Sequence, residues 1–353
     1  MAAAFGGFAD YRYGDGRARL SALENALPQS VPRLSTMRPG ADQGASAPEG
    51  SLAPLNPVSA SRDFATPEPT PPPPPPPPLP AAGHTHISST WLERHGQPLM
   101  PDVKGLSAVL VDVGTGQVLW ARDSERQRAP ASLAKLVTAM VAADNVASLD
   151  RPVVVAPGAD VKAIEQVEPA STVMGLTAGE VLTVRELLTG LFLRSGNDAA
   201  EALAQGIIPR DRFIAEMNAK ARAVGMLSSH FTTPIGLDDP QMYSSAEDLA
   251  EAAFTIDTRY PALAAIADQP EMHLPQTPTH KAYDGINWLH TYFLKFPGAT
   301  GMKTGYTDDA GSCVVATATR GNRRLIAVVL NSPVMVGDAE KLLDYGFALP
   351  AVA

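Results

Sequence analysis

Cysteine is almost missing from this chain: Cys313 is the only one in 353 residues, so no disulfide can form within it. Cys313 sits in Gly311-Ser312-Cys313-Val314-Val315-Ala316, which reads as a buried strand, and a small core residue fits that setting better than a reactive thiol. An excess of basic charge is missing too. Lys and Arg number 28 against 37 Asp and Glu, a net charge of −9, which argues against nucleic acid as the main partner. No apolar run approaches the length that spans a bilayer. Nor does the stretch from Met1 to Phe8 read as a signal peptide, since it carries no basic flank and is too short for an apolar export core. What is not lacking is core-forming material, since 45% of the residues are hydrophobic.

Proline is abundant, 33 in all, but unevenly placed. Residues 17–27 have the pattern of a short helix, and from Pro28 the chain is rich in Pro, Ser, Ala and Gly up to an unbroken run from Pro71 through Pro78. Such a stretch buries too little apolar surface to offset its ordering entropy, so residues 1–95 are expected to be a disordered Pro-rich segment. Its proline run is expected to be an extended polyproline II spacer of about 3.1 Å per residue. His84 and His86 have no further ligand-type residues beside them, so no metal site is expected there.

The remaining chain, 105–350, is expected to form one ordered domain. Ser107 to Val113 and Gln117 to Arg122 read as strands about a Gly114-Thr115-Gly116 turn. A further strand is expected at 153–156. Helical spacing of apolar residues marks 182–193, 198–204 and 210–224, and Ser244-Ser245-Ala246-Glu247 reads as a capping box opening a helix to about Ile256. Residues 302–307, 312–319 and 324–330 then run apolar or alternate as antiparallel strands do, and a last helix covers 338–347. Strands at both ends with helices between them predict an α+β fold whose terminal segments share one antiparallel sheet flanked by helices.

Three short signals stand in order along this domain: Ser132-x-x-Lys135, Ser195-Gly196-Asn197 and Lys303-Thr304-Gly305. Alone, each has an ordinary reading. Ser132 reads as a helix N-cap with Lys135 a solvated helix residue, the second as a helix stop followed by the next cap, the third as a strand end. Together, at a helix start, an inter-helix turn and a strand, they match the trio of serine acyltransferases of the β-lactamase and penicillin-binding type.

The residue types suit that chemistry. A serine hydroxyl needs a base, and Lys135, one turn on, serves only when neutral, a state that a second cation, Lys303, would favour. Ser195 is placed to relay a proton to a leaving amine, and the Asn197 amide to hold both Lys135 and a substrate carbonyl. Lys303 and Thr304 suit a substrate carboxylate, and Gly305 admits an extended peptide at the strand edge. The backbone N–H groups of Ser132 and Tyr306 are the expected oxyanion donors.

From Ala108 to Ala348 the chain resembles the D-alanyl-D-alanine carboxypeptidases of the low-molecular-mass penicillin-binding type. Besides the trio, the resemblance rests on Pro130-Ala131-Ser132-Leu133, Ser195-Gly196-Asn197-Asp198-Ala199-Ala200, Gly236-Leu237-Asp238, Ser244-Ser245-Ala246, Lys303-Thr304-Gly305-Tyr306-Thr307 and Leu343-Asp344-Tyr345-Gly346-Phe347. It implies the transpeptidase-like fold of that superfamily with a helical subdomain. It also implies an acyl-enzyme on Ser132 formed with release of the terminal D-alanine of peptidoglycan stem peptides, acylation by β-lactams, and no cofactor.

Where the family commonly has Asn-x-Asn before the Lys-Thr-Gly strand, this chain has His290-Thr291-Tyr292, which leaves the contacts on that side open. No Leu-Asn pair lies between Asn197 and Lys303, so the Glu-x-x-Leu-Asn of an efficient class A β-lactamase is not expected. A transpeptidase, differing in using an amine acceptor, and an inactive peptidoglycan-binding module are the other readings, although no motif residue is missing. The substrate implies an extracytoplasmic location. With no export signal visible, the expectation is that the true start lies upstream of Met1, with 9–95 a spacer from a membrane tether.

Overall fold

The structure is a computed structural model, and it describes residues 100–350 except 170, 294 and the side chains of 291–293. The expected N-terminal helix, the proline spacer and His84 and His86 lie outside the described residues.

The described residues open with two paired strands, β1 (Ser107–Asp112) and β2 (Gln117–Arg122). A 3-10 turn (Ala131–Ala134) then leads into α1 (Lys135–Asp144). Next come β3 (Pro152–Val154), α2 (Val161–Val167), β4 (Val181–Thr183), α3 (Val184–Leu193), α4 (Asn197–Ile207) and α5 (Arg210–Ala223). After α6 (Ala246–Arg259) and α7 (Pro261–Ala267) follow β5 (Glu271–Leu274), β6 (Tyr283–Ile286) and α8 (Trp288–Phe293). Three long strands, β7 (Ala299–Thr307), β8 (Gly311–Arg320) and β9 (Arg323–Leu330), precede α9 (Met335–Ala348).

The main sheet has five strands in the order β2-β1-β9-β8-β7, all antiparallel. Strand β1 pairs with β9 across more than two hundred residues of sequence, as in Val109 opposite Val328. The N-terminal hairpin and the C-terminal strands thus close one sheet, as the strand positions predict. Because both faces are covered, the central strands are near-continuous apolar runs, and alternate residues serve separate cores. Val109, Val111, Val315, Ile326 and Val328 face the core shared with the helices α1, α3, α4 and α6. Leu110, Val314, Ala316, Leu325 and Val329 face the smaller core under α9.

Several boundaries differ from the sequence reading. The run at 182–193 divides, its first residues pairing as β4 with β3 and the helix beginning at Val184. Thr183 caps that helix in a reciprocal box with Glu186. At α6 the cap is Ser245, whose hydroxyl accepts from the Asp248 N–H, so the cap sits one residue later than expected and takes the form of a single bond, not the expected reciprocal box. The elements from α7 to α8 had no clear sequence signal. Among the described residues, no helix is long and apolar enough to cross a membrane.

Candidate active site

Ser132 does not cap α1. It lies inside the 3-10 turn, where Pro130 takes the cap position and no side chain caps the turn. The reason is local: Ala131 holds φ +51, a left-handed backbone that an alanine adopts at a cost, and this sharp entry lifts Ser132 out of the helix. Gly236 explains how the turn fits its surroundings. A Cβ on it would come within 1.9 Å of the Ala131 carbonyl oxygen, and its own φ is +84, so only glycine lets the 234–236 loop pass beneath Ser132. Gly305 approaches from β7 in the same way, with an added Cβ 3.1 Å from the Ser132 nitrogen.

Lys135 begins α1 on the face below Ser132, entirely buried. Its Nζ is 2.7 Å from Ser132 Oγ, 2.6 Å from Asn197 Oδ1 and 3.0 Å from the Ile235 carbonyl oxygen. The last two are acceptors only. A neutral amine has two N–H groups and one lone pair, so it satisfies both acceptors and turns its lone pair to the Ser132 hydroxyl. Burial is the first cause that pushes the Lys135 amine well below its usual range, the charge of Lys303 the second, with Asp198 opposing. The second-cation argument from sequence therefore names a real contributor but not the larger one.

The turn between α3 and α4 presents Ser195 and Asn197, both buried, with Ser195 at φ +54. Ser195 Oγ accepts a 2.7 Å bond from Lys303 Nζ, which also donates to the Thr304 carbonyl oxygen at 2.8 Å. Lys303, in β7, is as buried as Lys135, and burial pushes its amine down to about 7. It is thus engaged with Ser195, whereas Thr304 is partly exposed on an edge strand and Tyr306 is exposed, its hydroxyl donating to Asp308. Of the eight residues singled out from the sequence, Ser132, Lys135, Asn197, Ser195 and Lys303 are linked by these hydrogen bonds across the α3–α4 turn, Gly305 backs onto Ser132, and Thr304 and Tyr306 flank Gly305 on β7.

Other residues of the site gave little or no sequence signal. The Ile235 carbonyl is one, although Gly236 beside it belongs to a recognised stretch. Ser171 is another: its Oγ accepts from Asn197 Nδ2. Asp198 ties the neighbouring loop down, its carboxylate accepting from the N–H groups of Met174, Gly175 and Leu176. His290 turns its Nε2 to the Asp268 carbonyl, and the side chains of Thr291 and Tyr292 lie outside the described residues. Among the described residues, no cluster of His, Cys, Asp or Glu is arranged to hold a metal. Cys313 lies buried in β8 with its thiol pushed up to about 11, as a core residue would be.

An amine against a hydroxyl, beside a second hydroxyl under another amine, can activate an oxygen nucleophile and pass protons on. Comparison with known proteins points the same way. A sequence model of the D-alanyl-D-alanine carboxypeptidases matches residues 94–334. D-alanyl-D-alanine carboxypeptidase DacB2 of Mycobacterium tuberculosis is 36% identical over 272 residues, covering 73% of this chain and 89% of that one. DacD of Escherichia coli is 36% identical over 70% of this chain, which spans only 64% of that relative's length. The crystal structure of the Streptomyces K15 DD-transpeptidase superposes with a TM-score of 0.65 at 29% identity, covering 71% of this chain and all of that one.

Proposed function

The chain belongs to the D-alanyl-D-alanine carboxypeptidase family, the serine peptidases of penicillin-binding type, and from that premise we propose that it removes the terminal D-alanine from peptidoglycan stem peptides through an acyl-enzyme on Ser132. One observation carries the reading: Lys135 Nζ lies 2.7 Å from Ser132 Oγ while its other two partners are acceptors only. That arrangement suits a neutral amine waiting for the serine proton.

In the proposed reaction Lys135 takes that proton as Ser132 Oγ attacks the carbonyl carbon of the penultimate residue. The negative oxygen of the tetrahedral intermediate is held by the N–H groups of Ser132 and Tyr306. The C–N bond then breaks, and the leaving amine of D-alanine takes a proton through Ser195, which Lys303 orients. Asn197 holds Lys135 and the substrate amide, and Thr304 and Gly305 align the peptide along the open edge of β7, with Lys303 supplying positive charge toward its carboxylate. Water finally hydrolyses the ester by the reverse proton path.

β-Lactams would acylate the same serine because their ring carbonyl mimics the scissile amide. We assign catalysis to residues 105–350, a spacer role to 1–95, and a place of work outside the cytoplasm, where the substrate is. The kinship with a DD-transpeptidase structure supports the second reading, in which an amine replaces water as acceptor.

The test is intact-mass spectrometry of the protein and of Ser132→Ala after mixing with benzylpenicillin, beside a D-alanine release assay on a peptide ending in D-Ala-D-Ala. A lasting adduct on the parent only, with D-alanine released, is the expected result. No adduct would return the chain to a binding module, and rapid penicillin turnover would make it a β-lactamase.

A further inference from the structure

Ser171 lies outside the three motifs. We propose that it is a positioning residue for Asn197, clamping the amide from the end opposite Lys135 so that one N–H remains for the substrate; the idea rests on the catalytic reading above.

A side-chain amide is planar, with one acceptor oxygen and two N–H groups. In Asn197 the oxygen accepts from Lys135 Nζ at 2.6 Å, and Nδ2 donates to Ser171 Oγ. The two bonds fix both ends of the plane, leaving one N–H to a ligand. Because Asn197 is buried, an amide released at one end would have little water to replace the lost partner. A rotated amide also withdraws Oδ1 from Lys135, and with it one of the two acceptors that leave the amine's lone pair to Ser132.

Ser171 is not needed to hold its own segment. Thr172 Oγ1 donates to the Ser195 carbonyl at 3.0 Å, the Asn197 N–H donates to the Thr172 carbonyl at 2.9 Å, and Asp198 grips the next three N–H groups. Among the described residues, the Ser171 hydroxyl bonds to Asn197 only. Removing it therefore frees the amide without freeing the loop.

The experiment measures the rate of acylation by a fluorescent penicillin in the full chain carrying Ser171→Ala, Ser171→Thr, Asn197→Ala, or both alanines, with thermal midpoints to check folding. Ser171→Ala is expected to slow acylation about tenfold, the worth of one misdirected hydrogen bond at a reacting group, with Ser171→Thr close to the parent. In the Asn197→Ala background the same change is expected to alter the rate by less than about twofold, since the effect runs through the amide. A slowing by Ser171→Ala of less than about fivefold, or an equal slowing in both backgrounds, overturns the proposal. Exchange of the Asn197 side-chain N–H protons, assigned by their loss in Asn197→Ala, needs no substrate. Faster exchange in Ser171→Ala is expected, and unchanged exchange overturns the clamp even if the parent proves unable to react with penicillin, the result that would sink the catalytic reading instead.

Discussion

Two regions of this molecule bury charge by opposite rules. At the outer ends of the sheet, Arg323 meets Asp112 at 2.7 Å and Arg324 meets Asp257 through two bonds, with Asp268 nearby at 3.6 Å. Each of these charges faces one of opposite sign, and the Arg323 guanidinium also donates to the carbonyls of Gly346 and Leu349, tying α9 down. Around Ser132, by contrast, Lys135 and Lys303 are buried deeper still and neither forms an ion pair among the described residues. Their partners are hydroxyls, an amide and carbonyls, so burial pushes both amines toward the neutral form. A paired buried charge is costly to break, and a buried amine with no counter-charge, set against a serine as Lys135 is, becomes a poised base.

The comparison breaks most completely if Lys135 is made permanently charged. Lys135→Arg keeps a long cationic side chain, but a guanidinium does not lose its proton in a protein. Acylation by benzylpenicillin is expected to fall by about a thousandfold or more, the scale of losing a general base, while far-UV circular dichroism stays that of the parent. Acylation within about tenfold of the parent would mean that another group takes the Ser132 proton.

At the paired region the converse is expected. Arg324→Ala leaves the buried Asp257 and the half-buried Asp268 without their cation, and stability at neutral pH is expected to drop by about 3 kcal/mol. Denaturant unfolding measures it, and an unchanged midpoint would show that the pair contributes nothing net. The acylation chemistry per folded molecule is expected to be little altered, since no group of this cluster touches the Ser132 site.

The sheet was legible in the sequence because its central strands are buried on both faces and so read as plain apolar runs. The site was legible as three motifs in order, since each carries reactive groups at fixed spacing. What escaped notice depends on contacts that no local pattern records. Ser132 looks like an N-cap, and only the left-handed Ala131 and the loop at Gly236 reveal otherwise. Ser171 precedes a stretch with no periodicity, and its meeting with Asn197, 26 residues on, is a product of the loop that Asp198 gathers. The stretch from α7 to α8 has short elements whose apolar residues pack on distant helices, and short elements leave weak periodic traces.

The smallest expected effect sharpens the comparison through pH. Burial lowers Lys303 to about 7 from the 10.5 usual for a lysine, so between those values the unfolded chain binds more protons than the folded one. This group therefore makes stability rise with pH across that window, at up to about 1.4 kcal/mol per unit, and Lys135 acts with the same sign. Asp268 is the odd member of the paired region. Burial raises it from 3.8 to about 6, Arg324 only partly offsets this, and its Oδ1 is buried with no hydrogen-bond partner among the described residues. Here the folded chain holds the extra proton, so between 3.8 and about 6 this group makes stability fall as pH rises. Asp268→Asn removes that falling contribution. The difference between parent and variant unfolding free energies is expected to change across the acid window by no more than about 1 to 2 kcal/mol and to be flat from pH 7 upward. A difference that is flat through the acid window would place Asp268 among the fully paired charges, and one that slopes above pH 7 would tie it to the lysines of the site.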